Sequence, residues 1–315
     1  MIKLEKLESE EDWNWFKAVL DRSMKESIML EKASKCFDPA PPSLFENGVA
    51  EESVKKKLAS LYQKLGGVPD VFLIRKGARP TDRYDEFAWC AVNEMISLFQ
   101  RARTGVVKTH SIFIAYSLIS KAPSTFEASF TPEQLACLEP VVKEDFWNQA
   151  ETAYIRLASL WDRAGQLLDY VFFNIRQFEY DGFSAVLDRI KANFAILDPS
   201  LERSSFWINI KTYAHSEKTD GLKWLLRRRN LLVHTLHLGD RLDRAKEEME
   251  ILYYYNHLEE ATRKKLGTLP PEEELLILHG HLTSFTRLLE PLCDLCLWGA
   301  DLIHDMRKVK ESVIS

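Results

Sequence analysis

The sequence predicts an all-α protein, and three observations carry that prediction. Apolar residues recur at three- and four-residue steps through several long segments. Glycine and proline, 12 of each in 315 residues, are too sparse to supply the turns of a many-stranded fold. Leu, Ala, Glu and Lys, all good helix formers, are abundant. With 46% hydrophobic residues the chain can bury one large core or two modest ones. Periodicity lapses between Lys121 and Pro140, where Pro123, Pro132 and Pro140 punctuate the chain. Two regions are therefore expected: an N-terminal helical region over residues 1–138 and an antiparallel helical bundle over residues 139–315.

The first helix is expected from Glu10 to Cys36, opening after Ser9 with acidic residues in its first turn and stopped by Pro39, Pro41 and Pro42. A second runs from Glu51 to Leu65, before Gly66 and Gly67, and a third from about Asp82 to Arg103. Val71 to Ile74 has the composition of a short isolated strand. Thr131, Pro132 and Gln134 have the capping-box arrangement and predict a short helix. The strongest helical pattern follows, with Phe146, Ala150, Ala153, Leu157, Leu160, Ala164, Leu168, Val171 and Ile175 on one stripe that stops before Asp181 and Gly182.

Shorter helices fit Phe183 to Leu197, Leu201 to His215, and Asp220 to Leu238 before Gly239. Arg241 to Lys265 is heavily charged around Tyr253, Tyr254 and Tyr255 and is expected to be an exposed helix or insertion. Pro270 and Pro271, followed by Glu272, Glu273 and Glu274, set a helix start with anions at the positive end of the dipole. That helix carries Leu278, Leu282, Phe285, Leu289, Leu292, Cys296, Gly299, Ile303 and Met306 on one stripe, with Pro291 a candidate bend.

Charge and composition exclude several functions. The longest uncharged runs, Thr109 to Ser120 and Leu275 to Thr286, are far short of the roughly 20 residues that span a bilayer. Met1 to Trp15 carries charges throughout and lacks the apolar core of a secretory signal, so no export is implied. Five cysteines, an odd number, are expected to be reduced thiols of a cytoplasmic protein. Cys293 and Cys296 form a lone C-x-x-C with no second pair nearby and are expected to pack in the core without metal. A formal net charge of −5 argues against tracking a long nucleic-acid backbone but leaves room for a local basic site.

One segment offers such a site. Lys223 to His237 reads K-W-L-L-R-R-R-N-L-L-V-H-T-L-H. At about 100° per residue, Leu222, Leu225, Leu226, Leu232, Val233 and Leu236 form an apolar face. Lys223, Arg227, Asn230, His234 and His237 form a second stripe of hydrogen-bonding groups without an acid, suited to gripping a phosphate. Arg229 falls in the middle of the apolar face, where an unpaired charge would cost several kcal/mol. A buried acid, a subunit interface or a break in the helix must compensate it. On an ideal helix Arg229 and His234 lie roughly 140° apart, so their convergence needs a local break or a second subunit.

Arg229, Asn230 and His234 match the pattern R-N-x-x-x-H, and here the chain resembles the HEPN superfamily of helical bundles over about residues 139–315. The resemblance implies a metal-independent endoribonuclease, in character a toxin, a defence effector or an RNA-processing enzyme. His234 would be the general acid or base, Arg229 the bidentate phosphate ligand, and Asn230 a donor that orients phosphate or imidazole. Lys223, Arg227, Arg228 and His237 would bind substrate, Arg228 merely adding to the local field. One motif histidine per chain implies a homodimer with a composite site, its interface including the Asp220 to Leu238 helix, or His237 as the second imidazole. No cofactor or metal is implied; RNA is the expected partner, with an antitoxin or nucleotidyltransferase-type protein as a further one. The rival expectations are a catalytically silent HEPN module that binds RNA, nucleotide or protein, and a helical scaffold with no ligand site.

Overall fold

The structure, a computed structural model, describes residues 10–38, 40–46, 49–50, 52–66, 87–126, 129–173, 182–234 and 269–314. The described residues are all-α apart from one antiparallel pair of two-residue strands, β1 (Phe45–Glu46) and β2 (Val49–Ala50), with Phe45 opposite Ala50. No helix is long and apolar enough to cross a membrane among these residues. The chain divides into two compact units, Met1–Pro41 and Pro42–Ser315.

The first unit holds α1 (Glu10–Cys36), with the bounds read from its acidic start and its proline stop. The second holds α2 (Glu52–Gly66), α3 (Phe87–Lys121), α4 (Pro132–Phe173), α5 (Phe183–Ala192), α6 (Phe194–Leu197), α7 (Ser205–His215), α8 (Leu222–His234) and α9 (Pro271–Ile314), with short 3₁₀ turns at Pro123–Phe126 and Pro199–Arg203. The strand expected over Val71 to Ile74, the Arg241 to Lys265 insertion and the first residues of the third expected helix lie outside the described residues.

The capping box opens a far longer helix than expected. Gln134 N–H donates to Thr131 Oγ1 at 3.3 Å, and Thr131 N–H donates to Gln134 Oε1 at 2.8 Å. These reciprocal bonds satisfy two donors that would otherwise be orphaned. From there α4 runs 42 residues, about 63 Å at 1.5 Å per residue. Pro140 lies within it, on the exposed side, so the carbonyl that proline leaves unbonded faces water.

This continuity corrects the boundary expected near residue 138, which falls inside α4. Side chains from both sides of that point share one core: Met95, Phe99 and Val106 of α3 join Leu157 and Trp161 of α4 and Phe285 of α9. The Phe285 ring stands 5.5 Å from Phe99 and 5.1 Å from Trp161, so three helices meet at one aromatic contact. Every residue of the α4 stripe from Phe146 to Val171 is buried, and so are Leu278, Leu282, Phe285, Leu289, Leu292 and Cys296 of α9. Helix α4 is therefore the spine against which α3, α5, α8 and α9 pack, and α8 is held between it and the start of α9.

A candidate phosphate-binding site on α8

Three consecutive arginines on α8 meet three different fates. Arg227 is exposed and makes a forked contact to Glu217, whose two carboxylate oxygens accept at 3.3 and 3.0 Å; Lys223 Nζ lies 3.6 Å from the same carboxylate. The two cations hold the Glu217 carboxyl below the usual carboxylate range, Arg227 contributing most. Arg228 is 4% exposed and pairs with Glu274, which is wholly buried. Its guanidinium also lies over the rings of Trp224 and Tyr154, 5.5 and 5.7 Å from their centroids. The Tyr154 hydroxyl donates to the other oxygen of Glu274 at 2.5 Å, and the Leu269 N–H approaches the same carboxylate at 3.4 Å. Burial outweighs these partners and pushes the Glu274 carboxyl above its usual range.

Arg229 is about one-third exposed, with one terminal nitrogen 3.7 Å from Asp162 of α4 and no hydrogen-bond partner on Nε among the described residues. Arg228 Nε is likewise without a hydrogen-bond partner among the described residues, but only Arg229 combines that with partial exposure and a long ion-pair distance. Burial raises the Asp162 carboxyl against the pull of Arg229 and Arg163. The acid that the apolar-face argument demanded is thus present, but it is half-buried and loosely engaged.

The buried face of α8 is rotated from the expected one. Leu222, Leu225, Arg228 and Leu232 are buried, while Val233 is half-exposed. The rotation, roughly 45°, brings Arg228 into the core and moves Arg229 to its edge. Tyr154 and Glu274 supply the reason, since together they give the guanidinium a charge partner and an aromatic face where leucines alone could not. Arg228 is therefore a packing residue, and the expected role of adding to a substrate field is corrected by its burial. A signal was available: Glu274 stands one turn before Leu278 on the stripe that α9 buries, so it was not a solvated member of the Glu272 to Glu274 run.

Of the remaining expected positions, only some fall among the described residues. Asn230 is exposed, and His234 is the last residue of α8, one turn further along the same stripe. His237 lies outside the described residues. Within one chain, α8 is a continuous helix from Arg229 to His234, so no break draws those two positions together. Among the described residues no group of three or more His, Cys, Asp or Glu side chains converges to hold a metal ion. No family model, curated protein or solved structure matches the chain.

Proposed function

We propose that the chain is a metal-independent endoribonuclease of HEPN type, acting as a homodimer through Arg229, Asn230 and His234. The observation that supports this most is the partly exposed, loosely held guanidinium of Arg229, followed in sequence by the exposed Asn230, in the R-N-x-x-x-H pattern. A phosphate arriving there would displace Asp162 and take the two terminal nitrogens, which suits a planar guanidinium and not a point charge. In the reaction the ribose 2′-oxygen attacks phosphorus as its proton leaves to a base, and the 5′-oxygen departs with a proton from an acid. The products are a 2′,3′-cyclic phosphate and a 5′-hydroxyl. Arg229 stabilises the charge that builds on the phosphorane, and the His234 side chains of two subunits supply acid and base.

Asp162 also favours a second reading, a silent module in which Arg229 is neutralised and RNA or nucleotide is held without cleavage. Incubation with labelled RNA in EDTA separates the two. The first reading requires cleavage, with His234→Ala slower by about 10²- to 10⁴-fold and binding largely retained. It also requires resistance of a substrate with a 2′-deoxy sugar at the scissile position. Retention without cleavage supports the second reading. A monomer in sedimentation at micromolar concentration would end the composite-site proposal.

A further inference from the structure

A second cleft lies between α7, the turn that leads into α8, and the middle of α9. Its volume is about 560 Å³, within the range of small-ligand sites. Two cations line it, Lys218 from the turn and Arg287 from α9, and neither has an ion-pair partner among the described residues. They contrast with Lys223, Arg227, Arg228 and Arg229, each of which has a carboxylate within 4 Å. Asp220 lines the same cleft, also without a cation within ion-pair distance, and acts electrostatically on Tyr213 and His281 behind it. Asn209 adds an exposed amide, and Leu288 and Pro291 form an apolar wall.

The turn that presents Lys218 and Asp220 is closed on itself. Gly221 N–H donates to the Lys218 carbonyl at 2.8 Å, and Lys223 N–H donates to the Ser216 carbonyl at 3.2 Å. Any side chain at Gly221 would begin 2.4 Å from the Ser216 carbonyl oxygen, so this close approach admits glycine alone. The backbone that carries the two charges is set before any ligand arrives, which lowers the ordering cost of binding.

Two cations without carboxylate partners in one cleft call for an anion, and a carboxylate in the same cleft would repel a plain one. A ligand satisfies both when it carries a phosphate at one end and hydroxyls at the other, the hydroxyls donating to Asp220. A flat apolar group suits the Leu288 and Pro291 wall, with the Asn209 amide at its edge. We infer that this cleft binds a ribonucleotide unit, its phosphate between Lys218 and Arg287 and its ribose hydroxyls on Asp220. The unit comes either from a free nucleotide or from an RNA strand; only the second source rests on the proposed function.

The test is calorimetric titration of the full chain with ribonucleoside 5′-monophosphates, their 2′-deoxy counterparts and inorganic phosphate, alongside a short RNA. Binding should be tightest for ribonucleotides. Arg287→Ala and Lys218→Ala should each weaken it at least tenfold, whereas Asp220→Asn should narrow the preference for ribo over deoxy and leave inorganic phosphate unaffected or better bound. These side chains are exposed, and unchanged circular dichroism confirms that each variant folds. Weaker RNA binding by Arg287→Ala identifies the strand as the source; loss confined to mononucleotides identifies the free nucleotide. Absence of wild-type binding to any of these probes at millimolar concentration, or Arg287→Ala binding as wild type does, overturns the inference. The mononucleotide titrations involve no cleavage step. Nucleotide binding without RNA cleavage would therefore retire only the nuclease proposal, and cleavage with an indifferent Arg287→Ala only this one.

Discussion

At the scale of single residues, α8 separates charges that look alike in sequence. Arg228 and Arg229 are neighbours, but one is sealed beneath Glu274 and Tyr154 and the other stands at the edge of the core. Arg228→Ala should destabilise the fold by about 3 to 5 kcal/mol, because it strands the buried Glu274 carboxylate. Replacing both partners, Arg228→Met with Glu274→Leu, should recover most of that loss. Urea denaturation measures both, and a double variant no more stable than the single one would show that the pair contributes more than mutual neutralisation. Arg228→Lys should also be destabilising, since an ammonium reproduces neither the fork nor the aromatic stacking. Arg229→Lys should barely change the denaturation midpoint yet abolish RNA cleavage. Cysteines divide in the same way. Burial pushes the Cys293 thiol up to about 12 and raises Cys296 as well, whereas Cys36 and Cys137 are exposed. At pH 8 an alkylating reagent followed by peptide mass mapping should label Cys36 and Cys137 first and reach Cys293 and Cys296 only on unfolding.

At the scale of elements, helix starts were legible because capping is local. The Thr131 and Gln134 box and the Pro270, Pro271, Glu272 start both appear where the sequence placed them. Thr131→Ala should lower stability by about 1 kcal/mol, read as a shift in the thermal midpoint. Helix length was less legible, since Pro140 reads as a break and is accommodated on a solvent-facing side. Glycine inside α4 has a packing reason that no local rule reveals. A Cβ at Gly165 would lie 2.9 Å from Phe183 Cα, so α5 begins against bare backbone. Gly165→Ala gains helix propensity of roughly 1 kcal/mol but must push α5 away, and a net loss of about 1 to 3 kcal/mol is expected. A more stable Gly165→Ala variant would show that α5 yields easily.

At the scale of the whole molecule, the buried histidines set the response to acid. His279 and His281 are almost fully buried, and burial pushes each down to about 4 from 6.5. His110, whose ring meets that of His279 edge-on at 5.6 Å, is lowered for the same reason. The unfolded chain binds these protons below about pH 6.5 and the folded chain does not until about pH 4, so stability is complete above pH 6.5 and declines as pH falls between those values. Each of the first two histidines removes roughly 2 kcal/mol by pH 5. The raised carboxyls of Asp162, Asp169 and Glu274 act in the opposite sense and soften the decline. Thermal midpoints measured from pH 7.5 to 4.5 should fall, and His279→Phe should flatten the curve; a midpoint constant across that range would refute the assignment.

The all-α class, the helix starts, the buried stripes of α4 and α9 and the polar stripe of Lys223, Arg227 and Asn230 were determined by sequence alone, because periodicity and capping act over one or two turns. The rotation of α8, the choice of Arg228 over Arg229 for the core and the joining of residues on both sides of position 138 into one core were decided only by tertiary structure. Each depends on a partner far along the chain, Glu274 for Arg228, Asp162 for Arg229 and Phe285 for Phe99. A buried charge takes whichever orientation brings it a counter-ion and a shielded face, and the helix turns to follow it.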